Sequence, residues 1–284
     1  MKKEETIKIV REGYAKVARQ GGSCCGPADT CCGSTSKARD ISKFVGYSDE
    51  ELSSVPEAAD MGLGCGNPVA LASLKEGETI IDLGSGGGLD CFLAANKVGA
   101  SGRAIGIDMT PEMLEKAREN ARRGNYKNVE FRLGEIENLP AADNTADVII
   151  SNCVINLSPD KPRVFREAFR VLKPDGRMMI SDLVLLKDIP DFLKDSIDAY
   201  ISCLSGAIKK DEYLAAIRDA GFQDIEIMDE RTFSLECYSD DPIAKAVMEN
   251  TKITSEQLKD VAKTIVSLKV RGVKRQSADC ASKL

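Results

Sequence analysis

Two groups of residues have types and spacings that chemistry can use. The first is D-x-G-x-G-x-G, made by Asp82, Gly84, Gly86 and Gly88, with Ser85 between the first two glycines. Glycines so spaced permit a tight turn and let a ligand approach the backbone, which suits a nucleotide where a strand leads in and a helix leads out. The second group is thiols: the chain holds ten cysteines and no histidine. Without imidazole there is no Ser-His-Asp or Cys-His mechanism and no His-ligated metal site, so polar chemistry falls to carboxylates, thiolates or a cofactor. Three cysteines stand out: Cys65 in G-L-G-C-G-N-P, a glycine-flanked loop that predicts a sulfur not locked into a core, Cys153 directly after Asn152, and Cys203 in I-S-C-L-S-G-A. Taken singly, each reads as a buried small hydrophobe. Their joint placement can reverse that reading, and placement depends on the elements.

From Glu78 onward short β-rich runs alternate with helical stretches: TIIDL, a helix over 89–98, RAIGID, a helix over 111–123, VEFRL, ADVIIS, a helix over 161–172, and RMMISDLVLL. That alternation predicts an α/β fold with a mostly parallel, doubly wound sheet. Helical stretches over 190–205 and 210–220 precede DIEIMDERTF, a run expected to finish the sheet. The last forty residues read as two helices, one carrying Leu258, Val261, Ile265 and Leu268 on a single face. At the other end, Ile7, Val10, Tyr14 and Val17 predict an amphipathic helix laid on the body. Residues 21–36 read as a Gly/Cys/Ser-rich loop, and Ser48 with Glu51 as a capping box before Pro56. The expected organisation is residues 1–60 as N-terminal helices with a Cys-rich loop, and 61–185 as the nucleotide-binding core. Residues 186–235 form a substrate-binding insertion that completes the sheet, and 236–284 a C-terminal helical segment.

Composition sets outer limits. With 284 residues, 43% of them hydrophobic and 30% charged, the chain can bury a sizeable core, which excludes disorder and fibre. Its 45 acidic residues against 39 basic ones are interleaved, so no nucleic-acid surface is expected. No secretory h-region is visible and no apolar run approaches the ~20 residues that cross a bilayer, so neither membrane insertion nor export is expected. The expected location is cytoplasmic, where thiols stay reduced and cysteines read as ligands or redox groups.

The strand before the glycine loop, the helix after it, and Asp108 twenty residues beyond Gly88 at the end of the next strand together make the nucleotide reading strong. The third glycine falls one residue earlier than in a dinucleotide fingerprint, and an acid precedes the first. This pattern resembles the class I S-adenosylmethionine-dependent methyltransferases, as does K-P-D-G at 173–176. The resemblance implies a Rossmann-like core that binds S-adenosyl-L-methionine. The glycine loop would hold its amino-acid moiety, Asp108 and the adjacent Met109 the ribose side, and Gly134, Glu135 and Ile136 the adenine. Asn152 would lie beside the donated methyl group.

Cys65 precedes the first strand, Cys153 ends the fourth at the sheet edge where open α/β sheets bind ligands, and Cys203 lies in the segment placed to cover that edge. Three thiolates without imidazole select a soft, thiophilic centre. Trivalent arsenic fits, because it exchanges hydroxyls for thiolates and keeps a lone pair that can attack a methyl group with no general base. Here GLGCGNP, IIDLGSGGGLD, SNCVINL and SCLSGA carry a resemblance to the arsenite methyltransferases. It implies that Cys65, Cys153 and Cys203 are the catalytic arsenic ligands, that arsenite or methylarsenite is the substrate, and that disulfide formation balances arsenic oxidation, with thioredoxin or glutathione as reductant. The chain departs from many relatives at Ser202, where they carry an acid, and from some at Leu63, where they carry an aromatic. Cys24, Cys25, Cys31 and Cys32 form CC-x5-CC, unlike the usual C-x2-C zinc pairs, and read either as a capture or redox loop or as plain disordered thiols. Cys91 reads as core, and Cys237 and Cys280 have no assigned partner. Two other readings stay open: a small-molecule C- or O-methyltransferase with incidental cysteines, and a non-catalytic metalloid-binding sensor.

Overall fold

The computed structural model describes residues 3–20, 34–190, 206–232 and 260–276. Five strands alternate with helices as the sequence pattern predicts: β1 (Thr79–Leu83), β2 (Arg103–Asp108), β3 (Val129–Leu133), β4 (Ala146–Asn152) and β5 (Leu172–Leu185). They pair in parallel and are followed by β6 (Gln223–Thr232) and β7 (Ile265–Val273), giving the order β3-β2-β1-β4-β5-β7-β6. β7 runs antiparallel to both of its neighbours. The helices are α1 (Lys3–Gln20), α2 (Ser34–Val45), α3 (Asp49–Ser53), α4 (Pro68–Leu71), α5 (Leu89–Val98), α6 (Pro111–Arg123), α7 (Lys161–Val171) and α8 (Lys210–Asp219).

Alternation along β1 shows how the two faces are filled. Ile81 and Leu83 join a core with Val164 and Phe165 of α7 and Tyr213 and Ile217 of α8. Ile80 faces the other way, into a core with Phe92 of α5, Leu114 of α6 and Val69 of α4. The sheet is thus covered on both faces, and its near-continuous apolar strands follow from that double burial. α1 lies as its apolar spacing predicts: Val17 and Ala18 pack with Met61 and Met113, while Val10 joins the cluster that holds Cys65 and Cys153. The Ser48–Glu51 capping box forms with both of its hydrogen bonds.

Two expectations need correction. The segment from Ile265 is a strand, although Leu258, Val261, Ile265 and Leu268 sit at helical spacing. IVSLKVRGV is rich in β-branched residues, and seven of its nine positions are buried because both faces of an interior strand pack against helices or loops. Helix α2 also begins at Ser34, inside the stretch read as loop to residue 36. The rest of that loop, with Cys24, Cys25, Cys31 and Cys32, lies outside the described residues, as do Cys203, Cys237, Cys280 and the helix expected over 190–205.

Candidate active site

A cleft runs along the carboxyl ends of β1, β2 and β4. Its floor is the glycine loop. Gly84 and Ser85 donate their N–H groups to the carbonyl of Ile107 at 2.8 and 3.1 Å, turning the chain sharply out of β1. Gly86 is left-handed at φ 49°, and a Cβ there would meet nothing within 4 Å because it would point into the cleft. Gly88 caps α5. Asp108 fixes the turn: one carboxylate oxygen accepts from the Gly86 N–H at 2.9 Å, the other from the Thr110 N–H at 2.8 Å.

Acids dominate one end. Asp82 and Asp90 are both buried, and Asp82 accepts a bond from the Cys91 thiol at 3.4 Å, which fixes Cys91 in the core as expected. Burial, reinforced by the charge of Asp90, pushes the Asp82 carboxyl well above the usual range. Burial raises Asp90 to about 6, against the pull of hydrogen bonds from Tyr47 and Asn152. The Tyr47 hydroxyl donates to Asp90 at 2.7 Å. The Ser85 hydroxyl is buried in the cleft wall with no hydrogen-bond partner among the described residues.

Asn152 ties three segments together at the end of β4. Its amide nitrogen lies 2.7 Å from the Gly66 carbonyl, 2.8 Å from the Tyr47 hydroxyl and 3.1 Å from Asp90. Its oxygen accepts from the Cys65 N–H at 3.0 Å. The Cys65 carbonyl in turn accepts from Ser267 of β7 at 2.9 Å. Cys65 is therefore buried among Val10, Leu183 and Ile265, which corrects the expectation that its glycine-flanked loop leaves the sulfur outside a core. Cys153 follows with φ 58°, a left-handed residue whose N–H donates to the Ser181 carbonyl at 2.8 Å.

The sulfurs of Cys65 and Cys153 and a carboxylate oxygen of Asp182 all lie within 4.8 Å of one another. Asp182 is buried at the end of β5. It accepts from Asn156 Nδ2 at 2.8 Å, the Leu183 N–H at 2.9 Å and the Tyr213 hydroxyl at 3.1 Å. Burial raises its carboxyl to about 7, opposed by the Leu183 N–H and the charge of Lys161.

Of the residues singled out from sequence, Asp82, Gly84, Ser85, Gly86, Asp108, Met109, Gly134, Ile136, Asn152 and Cys153 line the cleft. Glu135 instead pairs with Arg11 of α1 at 3.0 Å. Sequence reasoning passed over Tyr47, Asp90 and Asp182. Asp90 had a readable signal, an acid two residues past the last glycine of a nucleotide loop. Asp182 had a weaker one, an acid near the carboxyl end of a parallel strand.

A family model described as a methyltransferase domain matches residues 74–221. An arsenite methyltransferase from Halobacterium salinarum is 48% identical over 231 residues, covering 79% of this chain and 59% of the relative. One from Aquipseudomonas alcaligenes is 40% identical over 234 residues, covering 80% and 64%. The chain thus spans about three-fifths of the length of the curated relatives it matches. The crystal structure of an arsenic(III) S-adenosylmethionine methyltransferase from Chlamydomonas reinhardtii superposes with a TM-score of 0.62 at 29% identity, covering 85% of this chain and 74% of that one. Among the described residues no helix is long and apolar enough to cross a membrane.

Proposed function

We propose, from the premise that the chain belongs to the methyltransferase-domain family, that it transfers methyl groups from S-adenosyl-L-methionine to trivalent arsenic held by Cys65, Cys153 and Cys203. The observation that carries this reading is the convergence of the Cys65 and Cys153 sulfurs, from a loop before β1 and the end of β4, beside the glycine-loop cleft. The donor fits the cleft: Gly86 leaves room for close approach, the buried Ser85 hydroxyl lacks a partner among the described residues, and Asp90, raised only to about 6, offers negative charge to an ammonium group. When bound, S-adenosylmethionine supplies a sulfonium-activated methyl group open to attack by a lone pair.

The chain's own part is orientation. Cys65 and Cys153, fixed by buried backbone, hold arsenic together with Cys203, with its lone pair toward the cleft. Holding reactants at near-attack distance can lower a barrier by ~7–11 kcal/mol. No side chain need remove a proton in the transfer, which is how such a site works without histidine. Methyl transfer as a cation leaves arsenic pentavalent. Its return to the trivalent state takes two electrons from a thiol pair, which becomes a disulfide that thioredoxin or glutathione reduces. Cys24, Cys25, Cys31 and Cys32 are proposed to capture arsenite or resolve that disulfide. The proposed organisation keeps residues 1–60, 61–185, 186–235 and 236–284 as successive functional segments, and the proposed location is the cytoplasm.

The test is incubation with arsenite, S-adenosylmethionine and a thiol, followed by arsenic speciation. Methylarsenite, then dimethylarsenite, is expected, and no methylated arsenic would sink the reading. Cys153→Ser should cut the rate at least ~100-fold, the scale of loss when a reacting group is displaced by about 1 Å. Undiminished activity would exclude the thiolate site.

A further inference from the structure

Resting on the place of S-adenosylmethionine in the cleft, and not on the arsenic acceptor, we infer that α1 is a gate over the donor site, tied down by three ion pairs whose strength sets how fast the donor and its product exchange. α1 supplies Ile7, Val10 and Tyr14 to the lining of the cleft whose floor is the glycine loop. A molecule seated on that loop is therefore walled in by the helix. Apolar contact seats α1 there: Val10 is fully buried, and Val17 and Ala18 pack with Met61 and Met113.

Charge supplies the tie. Lys3 pairs with Asp160 at 2.7 Å, Arg11 with Glu135 at 3.0 Å and Arg19 with Glu112 at 2.5 Å. The three acids belong to different segments at the carboxyl edge of the sheet: Asp160 caps α7 after β4, Glu135 follows β3, and Glu112 lies in the first turn of α6 after β2. One helix thus bridges all three segments, and lifting it breaks all three pairs. None of these six charged residues lines the cleft, so the pairs hold the helix and not the donor. All three pairs are exposed. Such pairs are individually weak and screened by salt, which suits a contact that opens in each turnover. Where a lid must open, product release and not chemistry is often the slow step. Weakening the pairs raises the open fraction of loaded and unloaded protein alike, so association and dissociation quicken together while affinity changes little.

The experiment follows release of radiolabelled S-adenosylhomocysteine from the full-length protein under an unlabelled chase, with affinity measured in parallel by equilibrium dialysis. Sodium chloride is varied from about 0.05 to about 0.5 M, over which the screening length falls about threefold. Release from the unmutated protein should quicken roughly threefold across that range, as loss of much of a weak exposed tie implies. The triple variant Lys3→Gln, Arg11→Gln, Arg19→Gln should release about tenfold faster at low salt, the scale of three exposed pairs, with no further rise as salt is added and affinity within about threefold. Release unchanged by the triple substitution, or a salt response that survives it, overturns the gate. So does an affinity loss as large as the gain in release rate, because the charged residues would then hold the donor itself. The salt series on the unmutated protein needs no substitution, so a flat response there overturns the gate even if the variant fails to fold. If the unmutated protein binds no S-adenosylhomocysteine at all, the place of the donor fails first and the inference with it.

Discussion

Asp90 shows how one buried acid ties the cleft to pH. Its hydrogen-bond partners, Tyr47 and Asn152, are both neutral, and burial raises its carboxyl from the ordinary carboxylate range to about 6. Because the native state binds this proton more tightly than the unfolded chain, the group costs nothing below about pH 4. It costs progressively more as pH rises to about 6, and the penalty is constant above that. At ~1.4 kcal/mol per pKa unit the full penalty is about 3 kcal/mol. Asp90→Asn should therefore raise the thermal midpoint at pH 7.5 more than at pH 4.5 when no donor is bound. In the unmutated protein, stabilisation by S-adenosylmethionine should grow over the same interval, since its ammonium group offsets the charge. Scanning fluorimetry across pH tests this, and an equal gain from Asp90→Asn at both pH values would refute it. Asn152→Ala strikes the same network, leaving the Cys65 N–H and the Gly66 carbonyl short of a partner. At about 1–3 kcal/mol per buried group left unpaired, it should lower both thermal midpoint and donor affinity, and unaltered donor affinity by calorimetry would separate Asn152 from the cleft.

Elements deliver these residues through close backbone contact. The loop carrying Cys65 lies so near β5 that a Cβ on Gly66 would fall 2.0 Å from the Ser181 hydroxyl and 2.8 Å from its Cβ. Gly66→Ala should cost about 1–3 kcal/mol through overpacking and displace Cys65, weakening arsenite binding. Ser181→Gly clears both contacts, so the pair should recover much of the loss. A double-mutant cycle on denaturation and arsenite affinity checks this, and strict additivity would show that the two do not touch. This contact was not legible in the sequence. The glycines around Cys65 suggested freedom for the sulfur, whereas Gly66 is there because the loop is pressed against a strand and has no room for a side chain. The glycine loop, by contrast, was legible through local pattern alone, since β1, the turn and α5 are contiguous in the chain. So were α1 and the capping box of α3, which depend on spacings of three and four residues.

At the scale of the molecule, legibility failed where chain distance was greatest. β7 comes from the far end of the described chain yet lies inside the sheet, pairing with β5 from Arg177↔Val273 to Leu185↔Ile265 and with β6 on its other side. Helical spacing in its apolar residues misled because a strand buried on both faces loses the simple alternation that would identify it. The same strand supports the site: Ser267 holds the Cys65 carbonyl, and Val266, Leu268 and Val270 complete the core shared by α7 and α8. A chain ending at residue 259 would expose the ladder edge of β5 and leave β6 without its described neighbour, a set of unpaired backbone groups that folding cannot tolerate. That truncation should lose cooperative thermal unfolding and arsenite binding together. Supplying residues 260–284 as a separate peptide should restore both, with the gain saturating in peptide concentration as mass action requires. A truncated chain that unfolds cooperatively and binds arsenite alone would show that β7 is not what joins the sheet to the thiol site.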